Sequence, residues 1–302
     1  MKIDKFLTCN IVLIALLVLS SCSQTIKDFY DDGSIKREYH LKKEKYDGAY
    51  KEYYTNGNLK LLHNYKNGRL VDSSLFYNEK TSLKIDYIRY YSNDGIKEVV
   101  FDNGVLLKEG FVNDKNIGIG KWKFYNKKGL LEIVREYKII NNEQYLNQSW
   151  SFNKKGDTVY GGNFCKIDVV KDTISLLEPF RAVAYLYVPL FENANSEATV
   201  CLPYDENVNF DKNFSNDGKI QIDTFYNLKK DIKNQQWFPN NNPNYTVVFG
   251  KKFKTSGKKI IRGYVLEFYE NNNDSINREE RKIYFEKEVY VKDVNLNVPT
   301  SL

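Results

Sequence analysis

An aromatic residue recurs four positions ahead of a turn glycine: Phe29 before Gly33, Tyr53 before Gly57, Tyr91 before Gly95, Tyr125 before Gly129 and Phe152 before Gly156. Phe76 keeps the pattern with Lys80 in the glycine place. Between these units stand Asp47-Gly48, Asn67-Gly68 and Asn103-Gly104, pairs that tolerate the positive φ of a two-residue hairpin loop. Turns this close together leave room only for short strands, and strands joined by hairpins pair antiparallel. The spacing therefore predicts a long antiparallel meander over residues 28–160, each hairpin packing on its neighbours. Flat rings suit a pleated surface, and the chain supplies 24 Tyr and 18 Phe in 302 residues.

Two copies match more closely. "GAYKEYYTNG" (Gly48 to Gly57) and "GKWKFYNKKG" (Gly120 to Gly129) share glycine, aromatic, lysine, tyrosine and glycine at the same offsets, and Leu59 and Leu131 follow two residues past the turn. "YDGAYKEYYTNGNLKLLHNYKNGRL" resembles the bacterial variant of the MORN repeat, a hairpin with G-x-[YW]-x-x-Y-x-x-x-G-x-L. The resemblance implies a ribbon-like sheet used for binding or scaffolding. Some bacterial relatives carry an antitoxin-type label, and eukaryotic MORN repeats are associated with membranes and protein assembly. In this frame Tyr50 and Tyr53 correspond to Trp122 and Tyr125. These four are candidate binding aromatics; the competing reading is that they pack the sheet.

After Gly161-Gly162 the composition changes, and residues 161–302 form a second domain. "NFCKIDVV", "RAVAYLYVPL", "EATVCLPY", "GKIQIDTF", "YTVVFGKKF", "KKIIRGYVLEFYE" and "ERKIYFEKEVYV" read as strands separated by polar loops. That number of strands predicts a β-sandwich, and the final pair is similar to the last hairpin of Ig-like or fibronectin-like domains. The fold class is thus all-β: a MORN-like meander followed by an Ig/fibronectin-like sandwich. "QQWFPNNNPNYT" and "ENNNDSIN" read as loops. In the first, Trp237 and Phe238 either face outward as binding aromatics or plug the end of the sandwich.

The N-terminus sets the expected location. Lys2 and Lys5 precede the apolar run Ile11 to Leu19, which is short for a mature transmembrane helix and fits a signal peptide. It ends in Leu19-Ser20-Ser21-Cys22, which resembles the bacterial lipobox. The resemblance implies cleavage after residue 21, lipidation of Cys22, and a short lipidated tether over 22–27. Acyl chains in the plural give stable membrane attachment. Ser23 stands where Asp would favour inner-membrane retention, so the expected location is the outer membrane, facing the periplasm. Of the other cysteines, Cys9 leaves with the signal. Cys165 and Cys201 remain, in a compartment where they could pair or stay as buried thiols.

Tyrosines among lysines also suit nucleic acid, but the formal net charge of +6 is spread along the chain, and an envelope location removes nucleic-acid partners. No HExxH, G-x-S-x-G elbow, P-loop or paired-cysteine metal spacing occurs in the sequence. The histidines, His40 and His63, fall on repeat strands. "DKNFSNDG" has alternate oxygens but places Ile222 where a Ca²⁺ loop needs a bidentate Glu. Neither a metal nor a cofactor is expected. The expectation is a non-enzymatic, lipid-anchored binding or scaffold module with an envelope protein as partner. A toxin-neutralising, immunity-type lipoprotein and an envelope glycan-binding protein are the alternatives. A hydrolase would need two carboxylates brought about 5–9.5 Å apart across a cleft.

Overall fold

The computed structural model describes residues 23–81, 84–93, 95–176, 178–191, 195–270 and 278–293. The expected leader, Cys22, and residues 271–277 of the second predicted loop lie outside the described residues. The protein is all-β, with 64% of residues in strands and 2% in helix. It falls into two compact units, one of residues up to 118 with 122–131, the other of 119–121 with 132 onward.

The first unit is an open antiparallel sheet. Its strands are β1 (Gln24–Phe29), β2 (Ile35–Lys42), β3 (Lys45–Tyr53), β4 (Leu59–Lys66), β5 (Arg69–Tyr77), β6 (Ile85–Ser92), β7 (Gly95–Asp102), β8 (Val105–Val112) and β9 (Gly118–Tyr125), neighbours in chain order. Residues 24–27, expected as a tether, belong to β1. Asn67-Gly68 (φ 50° and 80°) and Asn103-Gly104 (φ 52° and 84°) are hairpin loops as predicted. Asp47-Gly48 is not: both residues lie within β3, and the turn is made by Lys43 and Glu44 at φ 50° and 61°. Gly48, at φ 105°, instead sits against the His40 side chain, opposite the register shift between Tyr39 and Leu41.

The aromatic-to-glycine spacing places real turns, closed by two chemistries. Where the turn opens on tyrosine, its hydroxyl reaches the next repeat: Tyr30 donates to the Tyr53 carbonyl (2.7 Å) and Tyr54 to that of Tyr77 (3.0 Å). Where it opens on asparagine, the side chain closes the turn itself. Asn126 and Asn153 accept from the amides of Lys128 and Lys155 at 2.9 and 2.8 Å, and Asn113, in a turn outside the series, accepts likewise from that of Lys115 at 3.0 Å.

The second unit contains β10 (Leu131–Ile140), β11 (Glu143–Phe152), β12 (Thr158–Val169), β13 (Thr173–Ser175), β14 (Phe180–Val188), β15 (Glu197–Pro203), β16 (Ile222–Tyr226), α1 (Ile232–Gln235), β17 (Thr246–Lys251), β18 (Gly257–Glu270) and β19 (Arg278–Lys292). One sheet runs β10-β11-β12-β14-β17, the other β13-β19-β18-β15-β16. The predicted domain boundary at 160/161 falls inside β12, whose first half pairs with β11 and second half with β14. Gly161 and Gly162 form a bulge within that strand. Gly162 is at φ 96°, and a Cβ there would lie 2.3 Å from the Ser149 carbonyl oxygen.

Alternate residues of the two sheets meet in one core. Phe180, Ala182, Ala184 and Leu186 of β14 and Val247 and Phe249 of β17 face Val200, Leu202, Val265, Ile283 and Phe285. Glu267 also lies within the fold, 1% exposed. Its carboxylate accepts from the Leu190 and Phe191 amides (2.8 and 2.7 Å) and from Ser196 Oγ (2.8 Å), so burial is offset by hydrogen bonds. The outer face of the second sheet is covered as well: Phe210 and Phe214, from the loop after β15, pack on Cys201, Tyr264 and Tyr284.

Candidate functional site

Register alone builds the most extensive surface feature of the first unit. Directly opposed residues of antiparallel strands share a face, and Ile26, Tyr39, Tyr50, His63, Ser74, Arg89, Glu98 and Gly110 are opposed in turn from β1 to β8. Rings in and beside this row touch one another. Tyr39 stacks on Tyr50 with centroids 5.8 Å apart, Tyr50 meets His63 at 5.9 Å, His63 meets Phe76 at 5.8 Å, and Phe76 stacks on Tyr87 at 3.9 Å. Tyr46 and Tyr65 add edge and tilted contacts. Arg89 closes the far end, over Phe76 and Tyr87 and paired to Glu98 at 3.0 Å. The opposite face runs Lys27, Glu38, Lys51, Leu62, Leu75, Ile88, Val99 and Glu109. One side of the ribbon is thus an aromatic ladder and the other aliphatic at its centre.

A histidine and a serine meet inside the ladder. His63 Nδ1 and Ser74 Oγ are hydrogen-bonded at 2.5 Å, and Ser74 Oγ is 3.0 Å from the Tyr91 hydroxyl. Burial lowers the pKa of His63, with Glu52 opposing and Arg89 adding to the effect. The pair has the composition of a nucleophile and its base, but Ser74 is 0% exposed. No substrate atom reaches its Oγ in this arrangement, and the three groups satisfy one another.

The four sequence candidates of the repeat frame separate here. Tyr50 belongs to the ladder, and Tyr53 is half-buried with its carbonyl holding Tyr30. Trp122 is not a surface aromatic: it is 5% exposed, its ring lies over Gly110, and its indole nitrogen donates to the Phe111 carbonyl at 3.0 Å. Tyr125 is committed too, donating to Glu109 at 2.8 Å, and burial together with that carboxylate pushes its hydroxyl up to about 12. Position in the repeat gave no warning, because the glycine that admits the Trp122 ring lies in the neighbouring strand.

In the second unit Trp237 is 72% exposed and Ile232 74%, so Trp237 does not plug the sandwich; Phe238 is half-buried. Cys165 and Cys201 are both free thiols. They do not pair because they serve different layers: Cys165 packs against the inner core and Cys201 lies in the outer cluster with Phe210 and Tyr264. Burial raises both thiols, Cys165 to about 12. The "DKNFSNDG" loop is closed by its own contacts, Ser215 Oγ donating to Asp211 at 2.7 Å, and Phe214 is buried beneath it. Among the described residues no group of three or more His, Cys, Asp or Glu side chains could hold a metal ion.

Three adjoining clefts of 410, 350 and 590 Å³ open along one margin of the second unit, where the edge strands β16 and β17 lie side by side. All three are lined by Lys251. No sequence motif marks them, since their walls come from Pro179 through to Arg262. Among the described residues no helix is long and apolar enough to cross a membrane. No protein family matches the chain, and no similar curated protein is found.

Proposed function

We propose that the protein is a non-enzymatic, lipid-anchored module of the bacterial cell envelope that binds a partner protein through its ribbon. The observation that carries this reading is the aromatic ladder from Tyr39 to Tyr87, a continuous row of half-buried rings on one face of the first unit. Aromatic side chains give large contact area at low entropic cost. Within the first unit, no other described element packs over this face. In this reading the hairpins are MORN-like repeats and the second unit is an Ig- or fibronectin-like sandwich.

The anchor is Cys22, and β1 begins at Gln24. Two residues reach at most about 7 Å, so a lipid on Cys22 would hold the first strand of the ribbon close to the membrane surface. We place it in the outer membrane, facing the periplasm. A second reading, an envelope glycan as ligand, is favoured by the same ladder, since rows of rings also suit the apolar faces of sugars.

The test is photo-crosslinking in envelope membranes from a probe beside the ladder, compared with a Tyr50→Ser, Tyr65→Ser variant of unchanged secondary structure. A protein adduct formed by the wild type and lost in the variant supports the reading. No protein adduct, together with retention on a glycan array, replaces it with the second. For the anchor, Cys22→Ala should abolish lipid labelling and release the protein from the membrane fraction; unchanged fractionation without lipid labelling refutes it.

A further inference from the structure

The clefts around Lys251 form one trough. The 410 Å³ cleft shares Glu206, Asn207 and Lys251 with the 350 Å³ cleft, and Asp223, Phe225, Gly250, Lys251 and Lys252 with the 590 Å³ cleft. It is therefore the middle of three consecutive segments with Lys251 common to all. Cations occur along the whole length, Lys258, Lys259 and Arg262 at one end, Lys251 and Lys254 in the middle, Lys252 and Arg181 at the other, with Asp205, Glu206, Asp223 and Asp231 among them. Lys254 is paired to Glu206, Lys258 to Glu288 and Arg262 to Glu286; among the described residues Lys251, Lys252, Lys259 and Arg181 stand outside any ion pair.

The central lysine is the unusual one. Lys251 is half-buried and its ammonium donates to the carbonyls of Pro203 (3.0 Å) and Asp205 (3.1 Å). Among the described residues no carboxylate lies within ion-pair distance of it. Asp205, Glu206 and Asp223 act on it only from beyond ion-pair distance, and burial outweighs them and lowers its pKa, so this partly buried charge has no contact partner of opposite sign. The wall is fixed in advance. Glu206 accepts from the Lys254 amide at 2.8 Å, and Tyr204 donates its amide to the Gln221 carbonyl at 2.9 Å.

The cations are interleaved with groups suited to neutral hydroxyls and to ring faces. Asp223 and Asn207 line the middle segment, Phe225 lies beside them, and Tyr204 stands 65% exposed at the rim. A compact anion would use one segment of such a trough. A chain that carries acidic groups at intervals, hydroxyls between them and flat apolar faces matches all of it. We propose that this trough binds an acidic oligosaccharide, with Lys251 holding an acidic group at its centre and Lys252 and Lys259 holding those on either side. The site lies wholly in the second unit and stands whether or not the ribbon binds a partner.

The test is calorimetric titration of the full chain with hexagalacturonate, maltohexaose and inorganic hexaphosphate. Hexagalacturonate should bind, weakening about tenfold or more between roughly 50 and 500 mM salt as the charges are screened. Lys251→Ala should weaken it at least about tenfold, the scale of one lost charged contact. Because Lys251 also braces the 203–205 turn, Lys252→Glu is the second variant: the side chain is exposed, and reversal of its charge should cost a similar factor while leaving the melting temperature unchanged. Equal affinity for maltohexaose overturns the role of charge. Binding of hexaphosphate without hexagalacturonate overturns the saccharide assignment, and no binding of any of the three overturns the site.

Discussion

Asn147 of β11 and Tyr284 of β19, 137 residues apart, exchange two hydrogen bonds: Asn147 Nδ2 donates to the Tyr284 carbonyl at 2.9 Å, and Asn147 Oδ1 accepts from the Tyr284 amide at 2.8 Å. The side chain thereby stands in for a neighbouring strand. β19 pairs with β18 on one side, and on the other meets β13 only at Tyr290–Lys292. The rest of that edge is closed at Tyr284 by Asn147, and beside it by Arg281, whose guanidinium donates to the Leu146 and Asn147 carbonyls at 2.5 and 2.9 Å. Unpaired edges cost stability when buried and invite aggregation when exposed. Asn147 is 0% exposed, so Asn147→Ala leaves a buried amide and a buried carbonyl without partners. The expected loss is about 2–4 kcal/mol in urea unfolding. Asn147→Asp should be at least as damaging, because it turns an acceptor toward the Tyr284 carbonyl and a charge toward Glu136, which Asn147 Nδ2 contacts at 2.6 Å. Wild-type stability in both variants would show that the edge needs no such closure.

Gly110 is required by Trp122. A Cβ on Gly110 would lie 2.3–2.5 Å from three atoms of the indole ring, closer than any real contact. Gly110→Ala should destabilise by about 2–3 kcal/mol through overpacking. Trp122→Leu removes the obstruction at the price of lost ring burial and the Nε1 hydrogen bond. The double variant should therefore lose clearly less than the sum of the two singles, as expected when two changes share one contact. Strict additivity in denaturant melts would mean that the ring moves aside freely.

These pairs show where the chain was legible and where it was not. Local chemistry was readable: Asn67-Gly68 and Asn103-Gly104 make their turns because positive φ is a property of those residues, and each strand expected after residue 161 is present within a few positions. Asp47-Gly48 misled because Lys43 and Glu44 make the loop at positive φ, leaving Gly48, also at positive φ, inside β3. Trp122 looked like Tyr50 in the repeat frame, and only its neighbour in space, Gly110, distinguishes a buried ring from a ladder ring. The trough around Lys251 left no trace, since its walls are strands and loops that the topology gathers from distant positions. The all-β class follows from periodicity; the sites depend on register and long-range pairing, which periodicity does not carry.

The two thiols offer a direct check on the layering of the second unit. With Cys165 against the inner core, raised to about 12 by burial, and Cys201 raised within the outer cluster, neither presents a thiolate at neutral pH. A Cys22→Ala chain without its leader should show almost no reaction with Ellman's reagent when native and two thiols per chain when unfolded. Its electrophoretic mobility should be the same with and without reductant. Rapid labelling of the native protein would put a free thiol at the surface, and a mobility shift on reduction would join the two cysteines in a disulfide; either is contrary to the packing.

Acid should act on the ladder through His63. Its folded pKa is lowered, first by burial and further by Arg89, with Glu52 opposing; the ring faces Tyr50, Tyr65 and Phe76, and Ser74 holds its Nδ1. A group that is harder to protonate when folded favours folding above its unfolded pKa, near 6.5. That contribution falls away as pH drops through the folded value, because the unfolded chain then binds the proton more readily. Unfolding free energy should therefore decline between about pH 7.5 and 5 by more in the wild type than in His63→Gln. The carboxylates with resolved shifts bear on lower pH: Glu109 is lowered by its bonds to Lys97 and Tyr125, and what it contributes is lost only in stronger acid. The decisive quantity is the difference between wild type and His63→Gln at each pH. A difference that is flat from pH 7.5 to 5 would mean that His63 ionises as freely in the folded ladder as in the unfolded chain.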